Sequence, residues 1–362
     1  MSTPLTPRIA QRPALVARLL AAGLLASAAQ LPAAELPVPP QPPGIPGFPG
    51  PLQPPEGMAP PQGQQVSIGD FSVVELRSRA LPDARMSQLG ADRQGGGIVI
   101  DDKGLILTIG YLVVETEKIE IINEGKPVPA TLLAYDSATG LGLVRAAAPL
   151  RVPPIEFAES AKAGVPEPVL VVGFDGVAPA YVVSRRQFAG SWEYLMDDAL
   201  FTAPATTGWS GAALINKEGK LLGIGSLLVP DALGPDRPLP GNMFVPIDRL
   251  KPILAELVDK GRTSAPPRPW LGVNVRDIEG RLLVTQTSPD GPAARSGIAE
   301  GDIIVGLAGR EVRDSADFYT RLWGSGKAGV EVELDVLKGM EVRHIPVKTA
   351  DRAQYLRQPR TY

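Results

Sequence analysis

The chain has 362 residues, enough for one large domain or two modest ones, and 44% of them are hydrophobic, which is ample for a core. Its formal net charge of −3 offers no basic excess, so nucleic acid is excluded as a partner. There is no cysteine and a single histidine, His344, which excludes disulfides and thiol chemistry and argues against a zinc site of the usual kind. We therefore predict no metal and no cofactor.

The N-terminus has the three-part pattern of an export signal. Arg8, Arg12 and Arg18 precede any acidic residue, and an apolar run over 19–29 ends in small residues suited to cleavage. This run is shorter than the ~20 apolar residues of a comfortable membrane span. We expect a secretory signal peptide over residues 1–34, with an uncleaved membrane anchor as the alternative. Either way, the body of the chain is predicted to be periplasmic or secreted.

Residues 35–65 are dominated by Pro, Gly and Gln. Such a composition cannot pack a core and is typical of an extended, polyproline-like linker. A globular pattern begins at residue 66.

Short apolar runs separated by turn residues predict an all-β domain over residues 66–262. A hairpin is expected, with strands 97–100 and 105–108 joined by a turn at 101–104. Further strands are predicted at 118–122, 130–134, 141–145, 169–172, 181–184, 212–215, 221–224 and 243–245. Apolar residues at helical spacing predict a helix over 247–260 that ends at Gly261.

A short Pro-rich linker at 263–269 precedes a second domain over 270–349. Strands are predicted there at 270–275, 282–285, 302–307, 330–337 and 341–347, with helices at 292–296 and 315–323. The tail, residues 350–362, is predicted to be unstructured.

Several segments, in this order, resemble the HtrA (Deg) family of secreted proteases. The hairpin 96–108 is similar to the one that leads into that family's catalytic histidine, segments 207–214 and 219–224 to its nucleophile loop and following strands, and 244–247 to the end of its barrel. Segments 270–273, 288–294, 297–298 and 301–304 resemble a PDZ domain. The resemblance implies a mainly β chain in which a trypsin-like double β-barrel precedes a PDZ domain, a small α+β unit with two helices.

The resemblance also locates the catalytic triad, and two of its positions have changed. The histidine position is Tyr111, a neutral phenol with an ordinary pKa of about 10 and therefore a poor general base. The orienting aspartate position is Gly140, while Asp136 of the same motif remains as a turn-former. The lone histidine, His344, lies in the second domain and is expected to be an ordinary strand residue.

The nucleophile position is retained as Ser210, and the resemblance implies an oxyanion hole formed by the backbone of Gly208 and Ser210. Trp209 replaces a small polar residue and is expected to fill or cap the pocket. Ala212 replaces a glycine, and its β-carbon is expected to obstruct a close backbone approach. A desolvated lysine, Lys103 or Lys118, is the alternative base that would keep Ser210 active.

A PDZ domain binds an extended peptide as an added strand, and its loop amides hold the terminal carboxylate. By resemblance, Gly272 lets those amides converge, and the groove takes apolar C-termini. The predicted peptide-binding residues are Trp270, Leu271, Gly272, Val273, Asn274, Phe318 and Leu322.

These observations favour a secreted HtrA-like pseudoprotease that binds peptides or proteins as a scaffold or quality-control factor. The alternatives are an active serine endopeptidase that uses Ser210 with a non-histidine base, and a chaperone-like holdase. Expected partners are extended or C-terminal peptides of other proteins. The chain could also form a homotrimer or a hetero-oligomer with an active relative. The apolar stretch 71–76 is a candidate trimer contact. A membrane partner is expected only if the N-terminal segment stays uncleaved.

Overall fold

The computed structural model describes residues 68–358. The predicted signal peptide, the predicted Pro-rich linker and the last four residues of the tail lie outside this range. Within it, every helix is too short or too polar to cross a membrane.

Two closed six-stranded barrels form the first part of the chain, in order β1-β2-β3-β6-β5-β4 and β10-β11-β12-β9-β8-β7. The first barrel contains β1 (Val73–Ala80), β2 (Asp92–Val99), β3 (Leu105–Ile109), β4 (Thr116–Asn123), β5 (Lys126–Asp136) and β6 (Leu141–Ala146). The second contains β7 (Glu167–Gly173), β8 (Gly176–Gly190), β9 (Tyr194–Ala203), β10 (Ala213–Ile215), β11 (Leu221–Val229) and β12 (Gly241–Pro246). Each predicted strand of this part lies on one of these strands, and the expected hairpin pairs Ile98 with Leu107. The mainly β fold class is thus confirmed.

The sequence did not reveal β1 or β9, and the long strand β8 was predicted only over its middle. The predicted helix 247–260 is also wrong in its first half. Only a 3-10 turn (Ile247–Arg249) precedes the helix α1, Leu254–Lys260. Pro252 has no N–H to give to a continuous helix, which explains the interruption.

A separate sheet follows, in order β13-β14-β15-β17-β18, with β16 paired to β15. Its strands are β13 (Val273–Ile278), β14 (Arg281–Thr287), β15 (Ile303–Leu307), β16 (Arg310–Glu311), β17 (Glu331–Lys338) and β18 (Glu341–Lys348). Helices α2 (Pro292–Arg295) and α3 (Ser315–Gly324) cover it, and α3 contributes the buried Phe318, Tyr319 and Leu322 to the core. Strand β13 ends the sheet, so one of its edges has no partner within the sheet.

Two expectations are wrong, one near each end of the described residues. Residues 71–76 do not form an exposed trimer contact, because Phe71, Val73 and Leu76 are each at most 1% exposed inside the first barrel. Part of the predicted unstructured tail is helical: residues Arg352–Tyr355 form α4, and the Tyr355 ring lies 4.6 Å from that of Trp270. Composition alone does not predict this contact between two aromatic rings, because it forms only in the tertiary structure.

Candidate functional sites

The loop that carries Ser210 lies where the two barrels meet. The Gly96 amide of β2 donates to the Ser210 carbonyl at 2.7 Å, and the Thr108 hydroxyl donates to the Gly96 carbonyl at 2.7 Å. Gly211 has a φ of 69°, and a β-carbon there would lie 2.1 Å from the Gly96 carbonyl oxygen. The glycine is required, because only it allows the two backbones to approach this closely.

The Ser210 hydroxyl is buried, and its Oγ has no hydrogen-bond partner among residues 68–358. Against it packs Gly95, where a β-carbon would lie 3.0 Å from Oγ. A serine attacks an acyl group only when a neighbouring base takes its proton. The structure therefore places the predicted nucleophile at the barrel junction without a base.

Tyr111, at the predicted histidine position, lies in a 3-10 turn (Gly110–Leu112) directly after β3. Its hydroxyl donates to the Ser226 carbonyl of β11 at 2.8 Å. Burial raises the pKa of the phenol to about 12, and the nearby Ser210 and Trp209 offset only part of that rise. Ser210 lies close enough to affect this pKa, but its Oγ makes no well-formed hydrogen bond. The phenol stays protonated at neutral pH and cannot act as the base.

Gly140, at the predicted aspartate position, ends a tight turn with a φ of 77°. Asp136 holds this turn, accepting from the Thr139 amide at 2.9 Å and from its hydroxyl at 2.6 Å, as expected of a turn-former. The ring of Tyr194 lies against Gly140, 3.4 Å from where a β-carbon would be, and its hydroxyl donates to the Thr139 carbonyl at 2.9 Å. An acid at this position would meet both a left-handed backbone and an aromatic ring.

A carboxylate lies beside the predicted oxyanion position. A β-carbon on Gly208 would fall 1.8 Å from Asp175 Oδ1, so the Asp175 side chain packs directly against this glycine. An oxyanion hole stabilises developing negative charge, and a neighbouring carboxylate opposes that effect. Trp209 is half-buried, and Ala212 is fully buried in the second barrel.

The two candidate lysines do not supply the missing base. Lys103 is exposed in the turn between β2 and β3. Lys118 forms an ion pair with Glu120 at 2.9 Å, and its side chain is 63% exposed. Neither is the desolvated amine that a Ser–Lys pair needs.

The predicted carboxylate loop of the second domain binds a carboxylate from the chain itself. The amides of Leu271, Gly272 and Val273 donate to the side chain of Glu193 at 3.0, 2.6 and 3.0 Å. Glu193 belongs to the turn between β8 and β9 of the second barrel, and it is only 5% exposed. Burial raises the pKa of this carboxyl to about 6, despite the opposing amide donors and the charge of Arg352.

The other predicted peptide-binding residues surround this loop. Trp270 forms a β-bridge with Ala350, and Asn274 Nδ2 donates to Gln286 Oε1 at 3.1 Å. Phe318 and Leu322 are fully buried in the core under α3. His344 is on β18 as expected, with Nδ1 2.6 Å from Asp335 Oδ1 on β17.

The sequence matches the trypsin-like peptidase domain family over residues 95–224 and the PDZ domain family over residues 269–349. This chain combines a trypsin-like peptidase domain with a PDZ domain. A probable periplasmic serine endoprotease, DegP-like, of Halomonas elongata is 27% identical over 275 residues, covering 71% of this chain and 56% of that protein.

A second protein of that name, from Pseudomonas putida, is 27% identical over 297 residues, covering 75% of this chain and 60% of its own length. Among solved structures, the HtrA-type protease AlgW with a decapeptide aligns with a TM-score of 0.47 and 19% identity, covering 82% of this chain and 100% of that one. The chain spans little more than half the length of these two curated relatives.

Sequence reasoning missed Glu193, Tyr194 and Asp175, each of which contacts a predicted site residue. All three residues lie at the ends of strands β7 to β9, where the sequence predicted few strands. An acid in a hairpin turn carries no motif, because such turns are ordinarily solvated. Only the pairing of β8 with β9 brings Glu193 to the PDZ loop.

Proposed function

We propose that this chain is an exported HtrA-like pseudoprotease, a peptide- or protein-binding scaffold or quality-control factor whose peptidase domain does not turn over substrates. In this proposal the PDZ domain recognises C-terminal or extended peptides. The periplasmic names of its curated relatives support export. Assembly into a homotrimer or with an active relative remains part of the proposal.

The observation that carries the proposal is the state of the Tyr111 phenol. Its hydroxyl donates to the Ser226 carbonyl and its pKa is raised to about 12, so it takes no proton from Ser210. The Ser210 hydroxyl has no hydrogen-bond partner among the described residues. Without a base, a serine and a backbone hole leave only residual catalysis.

The test combines a fluorophosphonate probe with hydrolysis of an unfolded protein substrate. The purified chain and its Ser210→Ala variant are incubated with the probe and, separately, with labelled casein at neutral pH. We expect no labelling of Ser210 and equal, background cleavage by both proteins. Cleavage that the Ser210→Ala variant lacks would instead establish the active serine endopeptidase.

A separate assay distinguishes a holdase from a dedicated peptide binder. The aggregation of a heat-denatured globular protein is followed by light scattering with and without the chain. If the chain suppresses aggregation, and still does so in the presence of an excess of a free C-terminal peptide, the result would favour the holdase.

A further inference from the structure

The turn between β8 and β9, residues 190–194, lies in the PDZ groove like a bound peptide. Its Glu193 carboxylate accepts from three consecutive loop amides, those of Leu271, Gly272 and Val273. Converging amides of this kind hold the terminal carboxylate of a peptide ligand. The side chain of Glu193 thus occupies the place of a main-chain terminus.

The same turn adds to the free edge of the PDZ sheet. The Val275 amide of β13 donates to the Ser191 carbonyl at 2.9 Å, on the edge that has no strand partner within the sheet. Main-chain hydrogen bonds to such an edge are how strand addition holds an extended peptide. Carboxylate capture and edge pairing therefore occur together, two residues apart in the turn.

Helix α3 closes the other side. The Tyr319 hydroxyl donates to the Gly190 carbonyl at 2.9 Å and accepts from the Glu193 amide at 3.3 Å. Ala189 and Leu195, which flank the turn, pack against the PDZ core. Both walls of the groove are thus engaged by the second barrel.

The backbone of the turn is held in a conformation that suits this contact. Glu193 has a φ of 55°, in the left-handed region that favours glycine. A residue other than glycine keeps such a conformation only where its surroundings impose it. The Arg352 side chain of α4 adds a hydrogen bond to the Trp192 carbonyl at 3.3 Å.

We propose that residues 190–194 are an intramolecular ligand of the PDZ domain, with Glu193 in place of a peptide's terminal carboxylate, so that free C-terminal peptides bind only by displacing this turn. The inference rests on the proposed function, in which the PDZ domain binds peptides. It adds that the groove is self-occupied and that a competing ligand must bring its own carboxylate to the amides of residues 271–273.

The test measures binding of a fluorescein-labelled peptide ending in Leu-Val, with a free carboxylate or a terminal amide, to the full chain. Fluorescence anisotropy compares the wild type with Glu193→Ala. The matched control is Glu279→Ala, because Glu279 is an exposed PDZ residue whose φ of 47° is also left-handed. Replacing the carboxylate raises the fraction of open groove, so we expect at least about tenfold tighter binding of the free-carboxylate peptide.

Hydrogen exchange of the peptide-free proteins provides an independent readout. We expect the amides of Leu271, Gly272 and Val273 to be protected in the wild type and in Glu279→Ala, and to exchange faster in Glu193→Ala. Equal peptide affinity of wild type and Glu193→Ala, or unchanged protection of these amides, would overturn the inference. Faster exchange with no peptide binding by either protein would confirm the occupied groove and instead contradict the proposed peptide binding.

A second variant guards against misfolding of the first. Tyr319→Phe keeps Glu193 and the aromatic core but removes the hydroxyl that binds Gly190 and Glu193. We expect its peptide affinity to rise about threefold, in the same direction as that of Glu193→Ala. An affinity equal to that of the wild type would contradict the role assigned to α3.

Discussion

The barrel junction and the PDZ groove are both occupied by the chain's own groups, but in different ways. At the junction, Tyr111 and Gly140 lie at the positions predicted for the histidine and the aspartate, and the Tyr111 hydroxyl donates to the Ser226 carbonyl. In the groove every binding group is still present, and the amides of residues 271–273 are satisfied by Glu193. The first arrangement can be reversed only by mutation, whereas the second is an equilibrium that a ligand can shift.

One hairpin connects the two regions. Glu193 at its tip enters the PDZ loop, and the next residue, Tyr194, packs against Gly140 of the first barrel. The stacking of Tyr194 on Trp192, with ring centroids 5.7 Å apart, holds these neighbours together. The difference between the regions therefore lies in their chemistry rather than in their supporting structure.

The largest effect is expected from restoring the missing triad residues. The double variant Tyr111→His, Gly140→Asp places a base and an acid at the family positions. It loses the phenol's hydrogen bond and puts an aspartate at a φ of 77° against Tyr194, so we expect a loss of about 3 kcal/mol in the free energy of unfolding. We also expect no hydrolysis of casein, since Asp175 still lies against Gly208.

Urea denaturation and the casein assay measure both outcomes of the double variant. Gly309→Asp is its control, because Gly309 has a φ of 69° with open space around it and reports the backbone cost alone. Casein hydrolysis that depends on Ser210 in the double variant would show that Tyr111 and Gly140 by themselves account for the proposed lack of activity.

The sequence predicted the general form of both regions better than their contacts. Runs of alternating or continuous apolar residues determine most strands, since each barrel strand buries one face, and the predicted hairpin at 97–108 is confirmed. The assignment of Tyr111 and Gly140 to the histidine and aspartate positions rests on the spacing of the loop motifs and stays a prediction. Glu193 was not predicted, because its role arises from contacts 78 to 80 residues along the chain, which local pattern does not encode.

An intermediate effect is expected from pH at the PDZ groove. Burial raises the pKa of Glu193 from its ordinary 4.5 to about 6, against the opposing effects of the loop amides and Arg352, while Tyr319 contacts it from α3. A raised pKa means that the docked turn is most stable when Glu193 is protonated and weakens as pH rises through this window. Free-carboxylate peptide should therefore bind about tenfold tighter at neutral pH than at a pH near 4.5.

Anisotropy titrations across that pH window test this effect against Glu193→Gln, which keeps the shape of the side chain and cannot ionise. We expect the affinity of Glu193→Gln to be nearly flat over the window. A pH dependence equal to that of the wild type would assign the titration to a different group.

The smallest effect is expected from Tyr111→Phe, which leaves the barrel junction closed. The variant removes only the hydroxyl that donates to the Ser226 carbonyl, and this buried acceptor then lacks its partner. We expect the free energy of unfolding to fall by about 1 kcal/mol in urea denaturation, with no gain in fluorophosphonate labelling. Tyr355→Phe is the control, since its bond to the Pro289 carbonyl is exposed and water can replace it, so its stability should change little. If Tyr111→Phe made Ser210 reactive toward the probe, Ser210 would be a competent nucleophile that the Tyr111 hydroxyl holds inactive. The barrel junction would then resemble the PDZ groove, because both would be closed reversibly.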